Sequence, residues 1–465
     1  MLPRFGARIA AIFRATAPDP FVVAILLTVF TFGAAWWRVG LGGSGGAPGW
    51  REVLNMWQAP DGFWSLLGFG MQMCLILVTG HALASSPPVA RLLRHVSAAP
   101  RTGRGAVAMV SAMAIGFGLI NWGLGLIVGA ILARDVAKQM RAKGVVVSGS
   151  LLAAAGYTGM MTWHGGLSGS APLDAADPAA LAARVGPELA ASVGGRVPLS
   201  ETIWTPLNGV TTLGLWVIVP AILACMCPAG GATAPLATAA STPGPREGAP
   251  DDGGPGRVPA FLERSPLVVW LLALPMAVWL AGEFGAKGLG ALSLNTANLA
   301  FLAAGLVLHG SATRYASAIE DAARGCAGIV LQFPLYAGII GMMKGSGLAA
   351  SVSEWFVRAS GGGDAGLSVM MFFSAGLVNM FVPSGGGQWA VQGPIALGAA
   401  AEAGVSPGKV VMAVAYGDQL TNMLQPFWAL PLLAITGERA RDIVGYTAIA
   451  MAAGGAWIVL CLAIL

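Results

Sequence analysis

Apolar runs long enough to cross a bilayer alternate with short polar loops along almost the whole chain. A crossing takes about 20 apolar residues at about 1.5 Å of rise each. Residues 21–37 and 63–84 read as the first two spans. The next run, 106–133, holds about 28 residues. That is too long for one comfortable crossing and right for a two-armed re-entrant hairpin with Asn121-Trp122-Gly123 at its tip. Spans over 147–171, 204–226, 266–281, 292–309 and 325–343 follow, then a second hairpin over 367–397 and spans over 409–435 and 443–465. The pattern predicts an all-α polytopic membrane protein with about nine transmembrane helices plus two re-entrant helical hairpins.

Basic loop residues orient these elements. Arg4, Arg8 and Arg14 alternate with Phe5, Ile9 and Phe13, so residues 1–18 read as an amphipathic segment on the cytoplasmic surface. No small-residue cleavage site follows the first run, which reads as a retained helix. Arg91, Arg94, Arg101 and Arg104 precede the first hairpin, and Arg134, Lys138, Arg141 and Lys143 follow it. Both of its flanks are therefore cytoplasmic, which agrees with its length. Asp174, Asp177, Glu188 and Glu201 mark an external loop, and Arg439 and Arg441 a cytoplasmic one. Residues 227–262, rich in Pro, Gly, Ala and Thr, read as a flexible cytoplasmic linker. It divides a first repeat (19–226) from a connecting helix and second repeat (263–465).

Composition narrows the class. The chain is 56% hydrophobic and 10% charged, against about 25% charged in soluble domains, which excludes a soluble globular enzyme. The net charge of +5 is scattered over short loops and is no nucleic-acid surface. The five cysteines have no metal-ligand spacing.

Gly118-Leu-Ile-Asn121 recurs 258 residues later as Gly376-Leu-Val-Asn379. Gln72 pairs with Gln332, Tyr157 with Tyr416 and Pro172 with Pro431 at nearly the same offset. The basic loops give the paired spans opposite directions, so the repeats are expected to be inverted, with a site at their interface near midplane.

Four polar breaks are expected to meet there: the hairpin tips at 121–125 and 383–388, and discontinuous spans at 162–170 and 418–428. Unwound backbone in hydrocarbon persists only where protein or a wet cavity satisfies it. Half-helix N-termini and free amides suit an anionic group. Candidate substrate contacts are Asn121, Trp122, Gly123, Trp163, Ser168, Ser170, Asn379, Ser384, Gly385, Gly386, Gly387, Gln388, Trp389, Gln392 and Trp428. Among them Trp122, Trp163, Trp389 and Trp428 are expected to face an acyl tail. Close helix packing is the alternative account of the glycines. Asp418 lies deep in its span and is the candidate coupling acid, with His164, Tyr416 and Asn422 beside it. Its other reading is a structural hydrogen bond to Tyr416 or Asn422. No Arg or Lys lies in the breaks, which favours a small monoanion over a di- or tricarboxylate. No metal is assigned beyond a co-transported sodium near Asn121 and Asn379, and no cofactor beyond that ion or a proton.

At these residues the chain resembles the short-chain fatty acid transporter family, the acetoacetate and butyrate permeases of bacteria. The resemblance runs through Asp61-Gly-Phe-Trp64, Phe69-Gly-Met-Gln-Met73, Val78-Thr-Gly-His-Ala-Leu-Ala-Ser-Ser86, Ile120-Asn-Trp-Gly123, Val382-Pro-Ser-Gly-Gly-Gly387 and Gln425-Pro-Phe-Trp-Ala-Leu-Pro431. It implies uptake of C2–C6 monocarboxylates across the bacterial inner membrane, coupled to a proton or sodium gradient by alternating access. It also implies membership of a wider ion-transporter superfamily whose hairpin members are often homodimers. Three positions depart from the family's pattern: His164 stands for a glycine, Gln388 for a histidine and Asp418 for a glutamate. A channel, an antiporter of the same superfamily and an intramembrane enzyme are the competing readings.

Overall fold

The computed structural model describes residues 2–41, 49–228, 257–291 and 293–465, and among them every regular element is a helix. Seven of these helices are long and apolar enough to cross a membrane. Leu294–His309, Asp364–Asn379 and Pro426–Thr436 are apolar but shorter. Two expected spans contribute short pieces because they are discontinuous, a third, Leu294–His309, is one short helix, and one of the seven, Gly103–Ile120, is a hairpin arm.

Both hairpins are present. The first is Gly103–Ile120 and Trp122–Ala142, hinged on the single extended residue Asn121 (φ −154°, ψ 130°). Thr102 caps its first arm by accepting from the Gly105 amide. The second is Asp364–Asn379 and Gly385–Ala403, its tip uncoiled between them. The expected span 147–171 is Gly149–Tyr157, two short 3₁₀ turns ending at Gly165, and then Ser170–Ala176. The expected span 409–435 divides into Pro407–Thr421 and Pro426–Thr436.

Each hairpin-and-broken-helix series is preceded by a long helix with a short amphipathic one and followed by a long helix. Leu67–Ser85, Pro87–Ala98 and Pro206–Met226 frame the first series; Ala327–Gly345, Leu348–Ala359 and Ala440–Ile464 frame the second. The amphipathic helices Gly49–Gln58, Pro87–Ala98, Ala312–Ala323 and Leu348–Ala359 lie in what the apolar pattern left as loops. Residues 229–256 of the expected linker lie outside the described residues, and its end is not coil: Arg257–Arg264 is helical.

The amphipathic helix Leu2–Thr16 forms as the sequence suggests, but it packs on the protein. Ala10 is buried, a Cβ on Gly445 would meet the Ala10 backbone at 2.5 Å, and Arg14 Nε reaches Asp442 Oδ1 at 2.7 Å. Two glycines show why helices come so close around the breaks. A side chain on Gly129 would strike the Gly156 carbonyl, and one on Gly417 the Phe372 carbonyl. Lipid offers no hydrophobic drive between helices, so such backbone-to-backbone packing carries the association.

Gly129→Val is therefore expected to destabilise the protein by about 1–3 kcal/mol, read as a lower Tm in detergent. Gly33→Ala, whose Cβ meets nothing within 4 Å, is expected to leave Tm unchanged. Equal Tm values for the two variants would contradict this packing.

Candidate functional site

The four breaks meet. The first hairpin's tip is closed off by protein. Trp122 N–H donates to Ser168 Oγ (3.0 Å), Gly123 and Leu124 N–H to Asn121 Oδ1 (3.0 and 3.1 Å), and Gly125 N–H to the Asn121 carbonyl (2.9 Å). The three first-turn amides that lack an i−4 carbonyl, those of Trp122, Gly123 and Leu124, are thus satisfied internally. Asn121 and Ser168, both candidate substrate contacts, cap this tip, and Gly123, a third, donates its amide to Asn121.

The second tip differs. Ser384 Oγ accepts from Gly387 N–H (3.3 Å) and its carbonyl from Gln388 N–H (2.7 Å). Among the described residues the Gly385 and Gly386 amides have no partner. Gly385 is buried against the first broken helix: a Cβ there would lie 2.7 Å from His164 Nε2 and 2.8 Å from the Trp163 ring. Beside Gly386 there is open space, with nothing within 4 Å of a Cβ. A helix N-terminus with two free amides is a seat for an anion.

His164 and Asp418 meet beside it, Nε2 to Oδ1 at 3.4 Å, with side chains only 1% and 3% exposed. Neither His164 ring nitrogen has a hydrogen-bond partner. Tyr416 and Asn422 do not bond the carboxylate. Tyr416 Oη donates to Asn208 Oδ1 (3.0 Å), and Asn422 Oδ1 accepts from Asn379 Nδ2 (3.0 Å). The acid is therefore left facing the imidazole, not held in a structural hydrogen bond to either neighbour.

A frame of amides holds the breaks in place. Asn379 Nδ2 also donates to the Asp418 carbonyl (2.7 Å) and Thr421 Oγ1 (3.0 Å), and Gln425 Nε2 donates to the Asn379 carbonyl. Tyr157 Oη donates to the Asn422 carbonyl (2.9 Å), His164 N–H to Gln419 Oε1 (3.0 Å), and Asn208 Nδ2 to the Gly165 carbonyl (2.9 Å). Each bond satisfies backbone or carboxamide that the break would strand. Gln419, Asn208 and Gln425 were not singled out from the sequence. Asn208, a carboxamide inside an apolar helix, was the one legible signal.

Trp122, Trp163 and Trp428 are brought together, with ring centroids 6.3 Å (Trp122–Trp163) and 5.1 Å (Trp122–Trp428) apart. Phe69 joins them at 6.3 Å from Trp122 and 5.9 Å from Trp428. The buried Trp163 Nε1 has no partner. Trp389 stands apart, fully buried with its indole against Gly393 of its own helix. Gln388 and Gln392 point between the hairpin arms. Gln388 Nε2 donates to the Ala375 carbonyl (2.8 Å) and Gln392 Oε1 (2.7 Å), and Gln392 Nε2 to Ser353 and Ser374 (2.8 and 3.1 Å). Those two donors are occupied within the protein. Ser170 opens the short helix Ser170–Ala176 and is half-buried. Among the described residues no group of three or more His, Cys, Asp or Glu could hold a metal ion.

Known proteins are similar to this chain over most of its length. A protein of Escherichia coli (strain K12) named "Putative short-chain fatty acid transporter" is 41% identical over 443 residues, 94% of each chain. One of the same name from Haemophilus influenzae is 39% identical over 429 residues, 92% of each. Among solved structures, Neisseria gonorrhoeae MtrF, whose description speaks of a class of antimetabolite efflux pumps, is 14% identical with a TM-score of 0.43 over 97% of each chain. The family model described as short chain fatty acid transporter matches residues 1–465. A multi-pass helical chain with this match is a membrane transporter and not an enzyme: it belongs to the short chain fatty acid transporter family.

Proposed function

We propose that this transporter is a secondary carrier that takes up short-chain monocarboxylates of the C2–C6 class by alternating access, coupled to an ion gradient. The observation that carries this reading is the difference between the two hairpin tips. Substrate carboxylate sits on the Gly385 and Gly386 amides, the unpartnered pair, beside His164 and Asp418. Trp163 Nε1 supplies a third donor, and the rings of Trp122, Trp163, Trp428 and Phe69 receive the acyl chain. No Arg or Lys stands in the four breaks, so a second carboxylate would enter without a counter-charge. The recurrence of hairpin, broken helix and closing helix supports two repeats, and the opposite basic flanking of the hairpins supports their inversion.

Asp418 carries the coupling proton in this account, passing it within the His164 pair as the site changes face. Buried Asp418 without its proton needs a partner, and bound substrate competes for the same surroundings. A sodium ion is the second reading, favoured by one observation. Asn379 Oδ1 and Gln425 Oε1 are buried acceptors with no donor, on carboxamides joined through the Asn379 carbonyl.

Proteoliposomes given labelled butyrate under proton and sodium gradients imposed separately test the function. Saturable uptake driven by the proton gradient is expected. Drive by sodium alone moves the coupling to Asn379 and Gln425, and no saturable uptake of any C2–C6 acid would end the carrier reading. Asp418→Asn is expected to reduce gradient-driven accumulation to background while butyrate exchange continues; unaltered accumulation would make Asp418 structural. Gly385→Ala, which drives a methyl into His164 and Trp163, is expected to raise the KM for butyrate roughly ten- to hundredfold. Gly386→Ala should fold as well as the parent and shift preference toward shorter acids, because its methyl enters the open space. An unchanged KM and chain-length profile in both would place the substrate elsewhere.

A further inference from the structure

The base of the first hairpin is strongly basic. Arg91 and Arg94 on Pro87–Ala98, Arg101 and Arg104 at the start of the first arm, and Lys138, Arg141 and Lys143 at the end of the second are all exposed. These segments are packed together. The helix Pro87–Ala98 lies against Trp122–Ala142. Lys143 Nζ donates to the Ala98 carbonyl and, at 2.9 Å, to that of Pro100. A Cβ on Gly103 would lie 3.2 Å from the Val146 carbonyl, just past the second arm.

Among the described residues none of these seven cations has an ion-pair partner. Asp135 is taken by Arg134 at 2.8 Å, and Asp321 shares the surroundings of His81 with Lys138. The base of the second hairpin is built differently: Lys409 is paired there with Asp364 at 2.7 Å, and Arg358 shares its helix with Glu354. Basic residues orient a membrane protein by their number in loops. Orientation does not require them to be gathered unpaired on packed elements, where they repel one another.

Leu92 indicates what meets them. Leu93 and Val96 pack inward on the core, whereas Leu92 is 64% exposed between Arg91 and Arg94. At the headgroup level of a bilayer an apolar side chain can enter the acyl layer while neighbouring cations stay with the phosphates.

We propose that this rim is a binding site for anionic phospholipid, in which Arg91, Arg94, Arg101 and Arg104 hold headgroup phosphates and Leu92 lies against the acyl chains. A planar guanidinium takes a phosphate through two parallel hydrogen bonds, and basic pockets beside membrane helices are suited to anionic headgroups. Bound lipid joins Pro87–Ala98 to the hairpin and offsets the repulsion among the cations. The inference is independent of where substrate binds.

The test measures binding to the purified full-length protein in detergent, by native mass spectrometry and by Tm. The additions are phosphatidylglycerol, phosphatidylcholine or inorganic phosphate. Phosphatidylglycerol is expected to bind at least about tenfold more tightly than phosphatidylcholine and to raise Tm, and about 0.5 M salt should weaken it. Arg91→Gln, Arg94→Gln, Arg101→Gln and Arg104→Gln together should weaken it about tenfold or more, while Lys at the same four positions keeps most of the binding. Leu92→Ser, which retains every charge, should weaken it by a smaller factor. Arg4→Gln with Arg8→Gln, exposed cations of Leu2–Thr16, should change it less than about twofold. Equal binding of the two lipids, or a loss in the Arg4 and Arg8 variant as large as in the fourfold one, would overturn the site. A Tm rise with inorganic phosphate matching that with phosphatidylglycerol would overturn the lipid as its ligand.

Discussion

An amide that a helix exposes at membrane depth has to be met by something, since water is not there to meet it. The breaks of this transporter are arranged around that requirement. At the first hairpin a single Asn121 side chain takes two amides, its carbonyl a third, and Ser168 the fourth. At the second hairpin Ser384 covers only the inner two, and among the described residues the Gly385 and Gly386 amides have no partner. The two tips, Asn121-Trp-Gly in one and Ser384-Gly-Gly-Gly in the other, thus differ in whether the protein itself meets their first amides.

That difference organises the surroundings. His164 can approach Gly385 only because the position has no side chain, and this approach brings the imidazole within 3.4 Å of Asp418. The carboxamides of Asn379, Asn208 and Gln425 hold the broken helices at the separation the pair needs. Removing any one leaves stranded backbone in a low-dielectric interior, which costs more than the bond itself contributes. The second tip is therefore supported from both broken helices.

Much of this architecture was legible in residue pattern. The two hairpins, their polar tips and both helix breaks followed from run length, glycine and proline, although the first hairpin runs over 103–142 and not 106–133, because its second arm continues through the polar residues 134–142. The closure of the first tip was not legible: Asn121 reads equally as ligand or cap until the Gly123 and Leu124 amides are seen on its oxygen. Trp389 and Gln392 were read as candidates by adjacency to the glycine run; Trp389 packs on Gly393 of its own helix and Gln392 donates to Ser353 and Ser374, positions that adjacency does not foretell. Gln419 meets His164 at a separation of 255 residues, and Asn208 meets Tyr416 at 208 and Gly165 at 43, distances no local pattern spans. The amphipathic helices were missed because a search for membrane-length runs passes over short two-faced ones.

On the proposed reading the second tip, and not the first, seats the carboxylate. A structure determined with butyrate bound tests it most directly. The account predicts the carboxylate on the Gly385 and Gly386 amides beside His164, with the acyl chain against Trp163 and Trp122. Butyrate on the Asn121–Leu124 amides, displacing Asn121 and Ser168 from them, would contradict it.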